Sequence, residues 1–446
     1  MVSRMIKRKD TATAFFRGER QSPWYMVAFG MIGASISGVS FVSVPGIVLH
    51  SGFTYLEVCA GFIGGYFVVA YVLLPIYYKH NVTTIYTYLR RISDEACKTG
   101  SAFFVISKLL GAAAKFYVPC FIISRVADCD FTITVCLMLF LVWLYTRRGG
   151  IKTLVWTDTV QTLCMIVCLA LLIINIDPDI WPTLPHSLGK TGYTWQPGGF
   201  ALRFLSGVFI VIVMTGLDQD MMQKNLTCKT LKEAQKDMCT YGVAFVPANL
   251  LFLSLGVLLV MLGERGVSDS LLPGFVQRSG LSVLIPFTIG IVAASFSSAD
   301  SALTSLTTSY CVDIRGRAGD EQLRKRAHLG ISALFVMMIL LFRLLNSTSV
   351  IDAIYTICGY TYGPLLGLFA FGMLTKRMPH DRYVPYICIA SPLVCYAIDA
   401  ITWHVAGYRF GYELLMLNGT LTFIALFVSS FVNSPKIPSA ECQTVS

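Results

Sequence analysis

Twelve stretches of this chain are each close to the roughly 20 apolar residues that an α-helix needs to cross the hydrocarbon core of a bilayer. They lie near residues 24–49, 54–78, 102–124, 130–146, 153–176, 200–217, 239–262, 282–310, 328–345, 351–374, 383–404 and 412–433, and little is left for a soluble domain. In lipid every backbone amide and carbonyl has to be satisfied internally, which restricts such a chain to a bundle of membrane-spanning helices. Composition agrees: 55% of the 446 residues are hydrophobic and 13% charged, against about a quarter charged in soluble domains. The expected fold class is therefore all-α, a polytopic membrane protein with the lipid bilayer as its first partner.

The net charge of +10 follows from topology. Connecting segments on the N-terminal side hold 26 Lys and Arg, among them Arg4, Lys7, Arg8, Lys9, Arg17, Arg20, Arg147, Arg148, Lys152, Arg315, Arg317, Arg324, Lys325 and Arg326; the other side holds six, Arg125, Lys190, Arg203, Arg265, Arg278 and Arg409. Cytoplasmic loops carry the excess of Lys and Arg, so both termini are expected in the cytoplasm. This distribution removes the need for a nucleic-acid partner. The first 23 residues are charged and lack the apolar core of a cleavable signal peptide. Residues 177–199, with four prolines and with Trp181 and Trp195, suit an external loop at the membrane interface.

Enzyme readings find no support. The six histidines fall in loops or near segment ends, the cysteines sit mostly in apolar runs, and HExxH, GxSxG and GxxxxGK[ST] are absent. No organic cofactor is expected, and a pump would need a nucleotide site that is missing. Chemistry concentrates instead where polar groups enter the apolar segments. The first segment packs Gly33, Ser35, Ser37, Gly38, Ser40, Ser43, Pro45 and Gly46 into mid-membrane. Unwinding there would free carbonyls for a cation and amides for a solute; the alternative is a small-residue face for close helix packing. In the eighth segment, helical spacing puts Ala294, Ser298, Ser301 and Ser305 on one row and Ser297, Asp300 and Thr304 on the next. Oxygen ligands of this kind suit a small hard cation, whereas serines can also bond back to their own helix. Asp158 lies in the fifth segment, either as a cation ligand or paired with a nearby Arg or Lys. Lys115, about a dozen residues into the third, would counter a buried carboxylate or meet an anionic substrate.

Several motifs in order resemble the sodium/solute symporter family. They are the Ser37-Gly38 break ending in Val44-Pro45-Gly46; Leu74-Pro75 with Tyr77-Tyr78 and then Ile85-Tyr86-Thr87-Tyr88-Leu89; Gly149-Gly150 followed by Trp156-Thr157-Asp158 and Gln161; Asp218-Gln219 with Gln223; Ser297-Ser298 with Asp300; and Gly363-Pro364-Leu365-Leu366-Gly367 followed by Leu374-Thr375-Lys376-Arg377. The resemblance implies a LeuT-type inverted repeat: a basic cytoplasmic segment (1–23), a first five-helix repeat (24–176), an external loop (177–199), a second repeat (200–374), two peripheral helices (375–433) and a cytoplasmic tail (434–446). It also implies a helix ahead of the core that residues 1–23 do not supply; the core is expected to fold without it.

Carried over by position, the resemblance implies a sodium site formed by carbonyls of Gly33, Ile36 and Ala294 with the hydroxyls of Ser297 and Ser298. It implies a second sodium site at Asp158, Asp300 and Ser301, where Asp300 stands in place of the more usual hydroxyl and leaves the sodium stoichiometry open. Solute contacts are expected from Ser37, Ser40 and Lys115. The expected activity is secondary active symport of a small polar organic solute such as sialic acid, a sugar or a carboxylate, with Na+ as the co-transported ion. An uncoupled or proton-coupled facilitator or channel is the alternative. The expected location is the plasma (inner) membrane.

Overall fold

The computed structural model describes residues 12–51, 54–176, 199–262, 271–345, 350–408, 410 and 413–431. Residues 1–11, nearly all of the expected external loop and the tail lie outside them. The described residues are helical throughout, and their one β contact is an isolated bridge between Ser22 and Cys228. Eight helices are long and apolar enough to cross a membrane, nine when one bent pair counts as a span. Each of the twelve expected segments coincides with a helix or with that pair.

A short helix α1 (Ala12–Arg17) precedes the first span, which is two helices, α2 (Trp24–Ser35) and α3 (Gly38–Ser51), meeting at 65°. The sequence dictates the interruption. Ile36 leaves the helical region at φ −82°, ψ 94°, and Gly38 fits between Pro119 and Ser295. Then come α4 (Tyr55–Lys79), α5 (Asp94–Val126), α6 (Phe131–Arg147) and α7 (Gly149–Ile174). Ser93 opens α5 by accepting the amide of Ala96 at 2.9 Å, and Asp130 opens α6 by accepting that of Thr132 at 2.8 Å, each satisfying an orphan donor of the first turn. The turn from α6 to α7 depends on Gly150, at φ +61°, where a side chain would also collide with the backbone of Phe15.

The sixth span continues past the point where hydropathy ends it. Helix α8 (Gly199–Gly216) gives way after Asp218 to α9 (Gln219–Asn225), all seven residues of which are buried. Asp220, Gln223, Lys224 and Asn225 depress the hydropathy of this segment, yet each finds a polar or charged partner on a neighbouring element inside the bundle. Next are α10 (Leu231–Met261), α11 (Leu271–Arg278), α12 (Leu281–Ile314), α13 (Glu321–Leu345), α14 (Val350–Leu374), α15 (Val384–Ala406) and α16 (Leu414–Ser429). Helix α16 attaches to α14 through Asn418, which donates to the carbonyls of Gly359 and Tyr360.

Helix α7 shows how the bundle is arranged. Trp156, Val160, Leu163, Val167, Leu171 and Ile174 form an exposed stripe at helical spacing, as expected of a face turned to lipid. The opposite face is buried, carries Asp158 and Thr162, and packs against both α2 and α12. The approach to α2 is close enough that a Cβ on Gly33 would lie 1.9 Å from the Thr162 hydroxyl. Gly33→Ala should therefore push α2 away from α7 and destabilise the fold by about 1–3 kcal/mol, read as a lower melting temperature of the purified protein. Gly330→Ala, inside α13 with nothing within 4 Å, should leave that temperature unchanged or raise it, because alanine favours the helix.

Candidate functional site

A helix end leaves its last four carbonyls without intrahelical partners. At the end of α2 the amide of Ile36 returns to the carbonyl of Ile32 at 3.0 Å. The next carbonyls, from Gly33 to Ile36, fall at the interruption, where the i+4 amides that would bond them in a continuous helix belong to the turn and to α3. Helix α12 faces this gap: it contacts α2 and α3, and Ser295 meets Gly38. Partial charges of opposite sign, the C-terminus of α2 and the N-terminus of α3, thus meet in the middle of the bundle.

Two cavities flank the break. The larger, about 150 Å³, is lined by Ser35, Ser37, Ser40, Lys115, Tyr66, Thr215, Met221, Tyr241 and Asn249, and extends to Ile47 and Tyr55 near the α3–α4 connection. It presents hydroxyls, an amide and an ammonium on an otherwise apolar wall. Tyr66 donates to the Tyr241 hydroxyl at 2.9 Å, and Tyr241 also bonds Ser35 at the break. The smaller cavity, about 50 Å³, is bordered by Ala34, Lys108, Asp218, Asp220, Ser298 and Tyr362. Lys115, Met214 and Met221 line both.

Below the break, toward the start of α5, a cluster of charged groups fills the bundle. Lys108 lies 3.1 Å from Asp218 and 2.7 Å from Asp220, and Tyr362 donates to Asp218 at 2.7 Å. Lys224 lies 2.8 Å from Asp158 and 4.0 Å from Asp220. The Lys224 and Asp158 side chains are 1% and 0% exposed. Ser297 donates to the other oxygen of Asp158 at 2.6 Å, and Asp300 accepts from Tyr145 at 2.7 Å and from Ser301 at 3.1 Å. Asp220 thus stands between the two lysines. The same end is closed by neutral contacts: Gln223 donates to the carbonyl of Phe16 and to Thr308, each at 2.9 Å, and Gln219 accepts the amide of Ile85 at 2.8 Å.

Of the residues singled out from sequence, Gly33 and Ile36 lie at the break. Ala294 and Ser297 are buried on α12, and Ser298 borders the smaller cavity. Ser37, Ser40 and Lys115 line the larger one. Asp158, Asp300 and Ser301 come together in the charged cluster, where Asp158 has a lysine partner. Sequence reasoning missed Lys108, Asp220 and Lys224. Lys224 falls in the stretch between the sixth and seventh segments, which the charge count assigns to the cytoplasm. The spacing of Asp220 and Lys224, at i and i+4, is the signal that could have marked a helix there.

Residues 15–176 match the profile of the sodium:solute symporter family. A sodium/sialic acid symporter of Proteus mirabilis is 25% identical over 98% of this chain and 92% of its own length. A sodium/sialic acid symporter of Aliivibrio fischeri is 24% identical over 83% of this chain and 79% of its own. The sodium-dependent multivitamin transporter of Oryctolagus cuniculus is 26% identical over 82% and 62% respectively. The substrate-bound, outward-open structure of a Na+-coupled sialic acid symporter superposes with a TM-score of 0.80 at 20% identity, covering 97% of this chain and 95% of that one. The architecture is that of this LeuT-type transporter.

A buried ion pair that loses one partner leaves a desolvated charge behind, at a cost of about 3–5 kcal/mol. Lys108→Ala should therefore lower the melting temperature markedly, since Asp218 and Asp220 would share no cation at that end. Lys98→Ala, which removes a surface ion pair with Glu95, should leave it unchanged.

Proposed function

We propose that this protein belongs to the sodium:solute symporter family and is a sodium-coupled symporter that imports a small, acidic, hydroxyl-bearing solute of the sialic acid class by alternating access. The observation that carries the reading is the 65° break between α2 and α3, packed against α12 beside a cavity with polar groups. Carbonyls of Gly33, Ile36 and Ala294 with the hydroxyls of Ser297 and Ser298 would hold one sodium ion, an all-oxygen shell of the sort hard cations prefer. That ion would tie the two halves of the broken span to α12.

Solute would bind in the adjoining cavity. Ser37 and Ser40 on α3 would meet its hydroxyls or carboxylate, and the Lys115 ammonium would supply the positive charge for an anion. Tyr66, Tyr241 and Asn249 add neutral donors and acceptors. The relatives that match over most of their length carry sialic acid by name, which favours this solute class over neutral sugars. The cavity reaches toward Ile47 and Tyr55, while the charged cluster closes the opposite side, an arrangement suited to receiving solute from outside. In this reading the protein sits in the plasma membrane with both termini cytoplasmic, and its two five-helix repeats, 24–176 and 200–374, rock about the site. Sodium favours the outward-facing state because it binds that state more tightly. Its loss to the cytoplasm then weakens the solute site.

Uptake of labelled sialic acid, sugars and carboxylates into proteoliposomes, with sodium and proton gradients imposed separately, tests the reading. Uptake should require sodium. Ser298→Ala should abolish most of the sodium stimulation at unchanged protein insertion; flux indifferent to both gradients would instead indicate a facilitator. Lys115→Gln should raise the KM for an acidic solute about tenfold or more, in line with the loss of a charge-assisted contact of roughly 1.5–3 kcal/mol, and should affect a neutral analogue much less.

A further inference from the structure

We propose that Lys224 is a built-in cation that stands in place of a second transported sodium beside Asp158, so that each cycle carries a single sodium ion; this rests on the symport reading above. Asp158 is fully buried on α7, and a carboxylate there needs a counter-cation. The structure provides one from the chain itself, since the Lys224 ammonium on α9 is at contact distance, 2.8 Å, from Asp158. Ser297 occupies the other carboxylate oxygen at 2.6 Å. Both oxygens of Asp158 are thus engaged before any ion enters.

Asp300 completes the case. It is buried on α12 one turn after Ser297 and accepts from Tyr145 and Ser301, so a second carboxylate stands where a hydroxyl would suffice for a sodium site already holding one acid. Asp220 approaches the same ammonium at 4.0 Å. Two acids thus converge on one lysine, which suits a permanently held cation with three available protons better than a sodium ion that has to leave in every cycle. Across the buried cluster, the ammoniums of Lys108 and Lys224 already face the carboxylates of Asp158, Asp218 and Asp220.

Binding of radioactive sodium to the purified full-length protein tests this without knowledge of the solute. The wild-type protein should bind about one sodium per chain. Lys224→Ala, or Lys224→Met where the alanine variant does not stay monodisperse, should gain a second, and adding Asp158→Asn should remove the gain. Two sodium ions on the wild-type protein, or no gain in a well-folded Lys224 variant, would overturn the proposal. A wild-type stoichiometry of one upholds it even where neither variant survives purification. Should the wild-type protein bind no sodium, the symport reading fails, while a site gained on removing Lys224 still supports the role given to the lysine.

Discussion

The interruption between Ser35 and Gly38 is the constraint on which the rest of the molecule depends. A continuous helix through mid-membrane would have every carbonyl bonded and nothing to offer an ion or a solute. Breaking it leaves polar backbone in a region without bulk water, which is tolerated only if other elements surround it. The surrounding helices are specified in detail. Gly33 lets α7 approach to within contact of the α2 backbone, Gly38 accommodates Pro119 of α5 and Ser295 of α12, and the Tyr66–Tyr241 pair closes the side toward α4 and α10. The small residues of the first segment therefore serve close packing and site formation together: the packing is what makes the exposed backbone affordable.

The charged cluster follows from the same lack of solvent. Asp158, Asp218, Asp220 and Asp300 come from three different elements, and none can be left unpaired at that depth. Lys108 and Lys224 join Asp158, Asp218 and Asp220 into one body that links α5, α7 and α9 on one side of the break, and Ser297 ties Asp158 to α12. Breaking such contacts in turn, rather than all at once, is what a transporter needs if its inner side is to open without exposing an isolated charge. The neutral bonds around it, from Gln223 to Phe16 and Thr308 and from Gln219 to Ile85, are weaker than bonds to charged groups.

How much of this was legible in the sequence depends on what hydropathy can and cannot report. The helical character of the twelve segments was, because lipid tolerates few polar residues and the signal runs over some 20 positions each. The break was, because glycine, serine and proline cluster there. Helix rotation was not: α7 is apolar on its lipid face and on much of its buried face, so only Thr153, Asp158 and Thr162 mark the interior. Helix α9 was hidden for the opposite reason. Its Asp220, Gln223, Lys224 and Asn225 read as a solvated connection, and only tertiary packing shows that their partners are buried ones: Lys108 and Asp158 for the charges, Phe16 and Thr308 for Gln223, Ala234 and Asp237 for Asn225. A charge at a helix end looks the same in sequence whether it faces water or another charge.

A tethered ammonium and a diffusing sodium ion neutralise a carboxylate equally well at equilibrium, but they differ in what they respond to. Occupancy of a sodium site follows the external concentration, whereas Lys224 is present at an effective concentration set by the chain. With Asp158 served by the lysine, the charged cluster would keep its integrity at any sodium level, and in the proposed cycle sodium dependence would rest on the carbonyls of Gly33, Ile36 and Ala294 and the hydroxyls of Ser297 and Ser298. The driving force available to concentrate solute then falls from that of two ions to that of one. In return, a solute that itself carries a negative charge enters with one sodium as a neutral pair, so that the transport step moves little net charge and depends weakly on membrane potential.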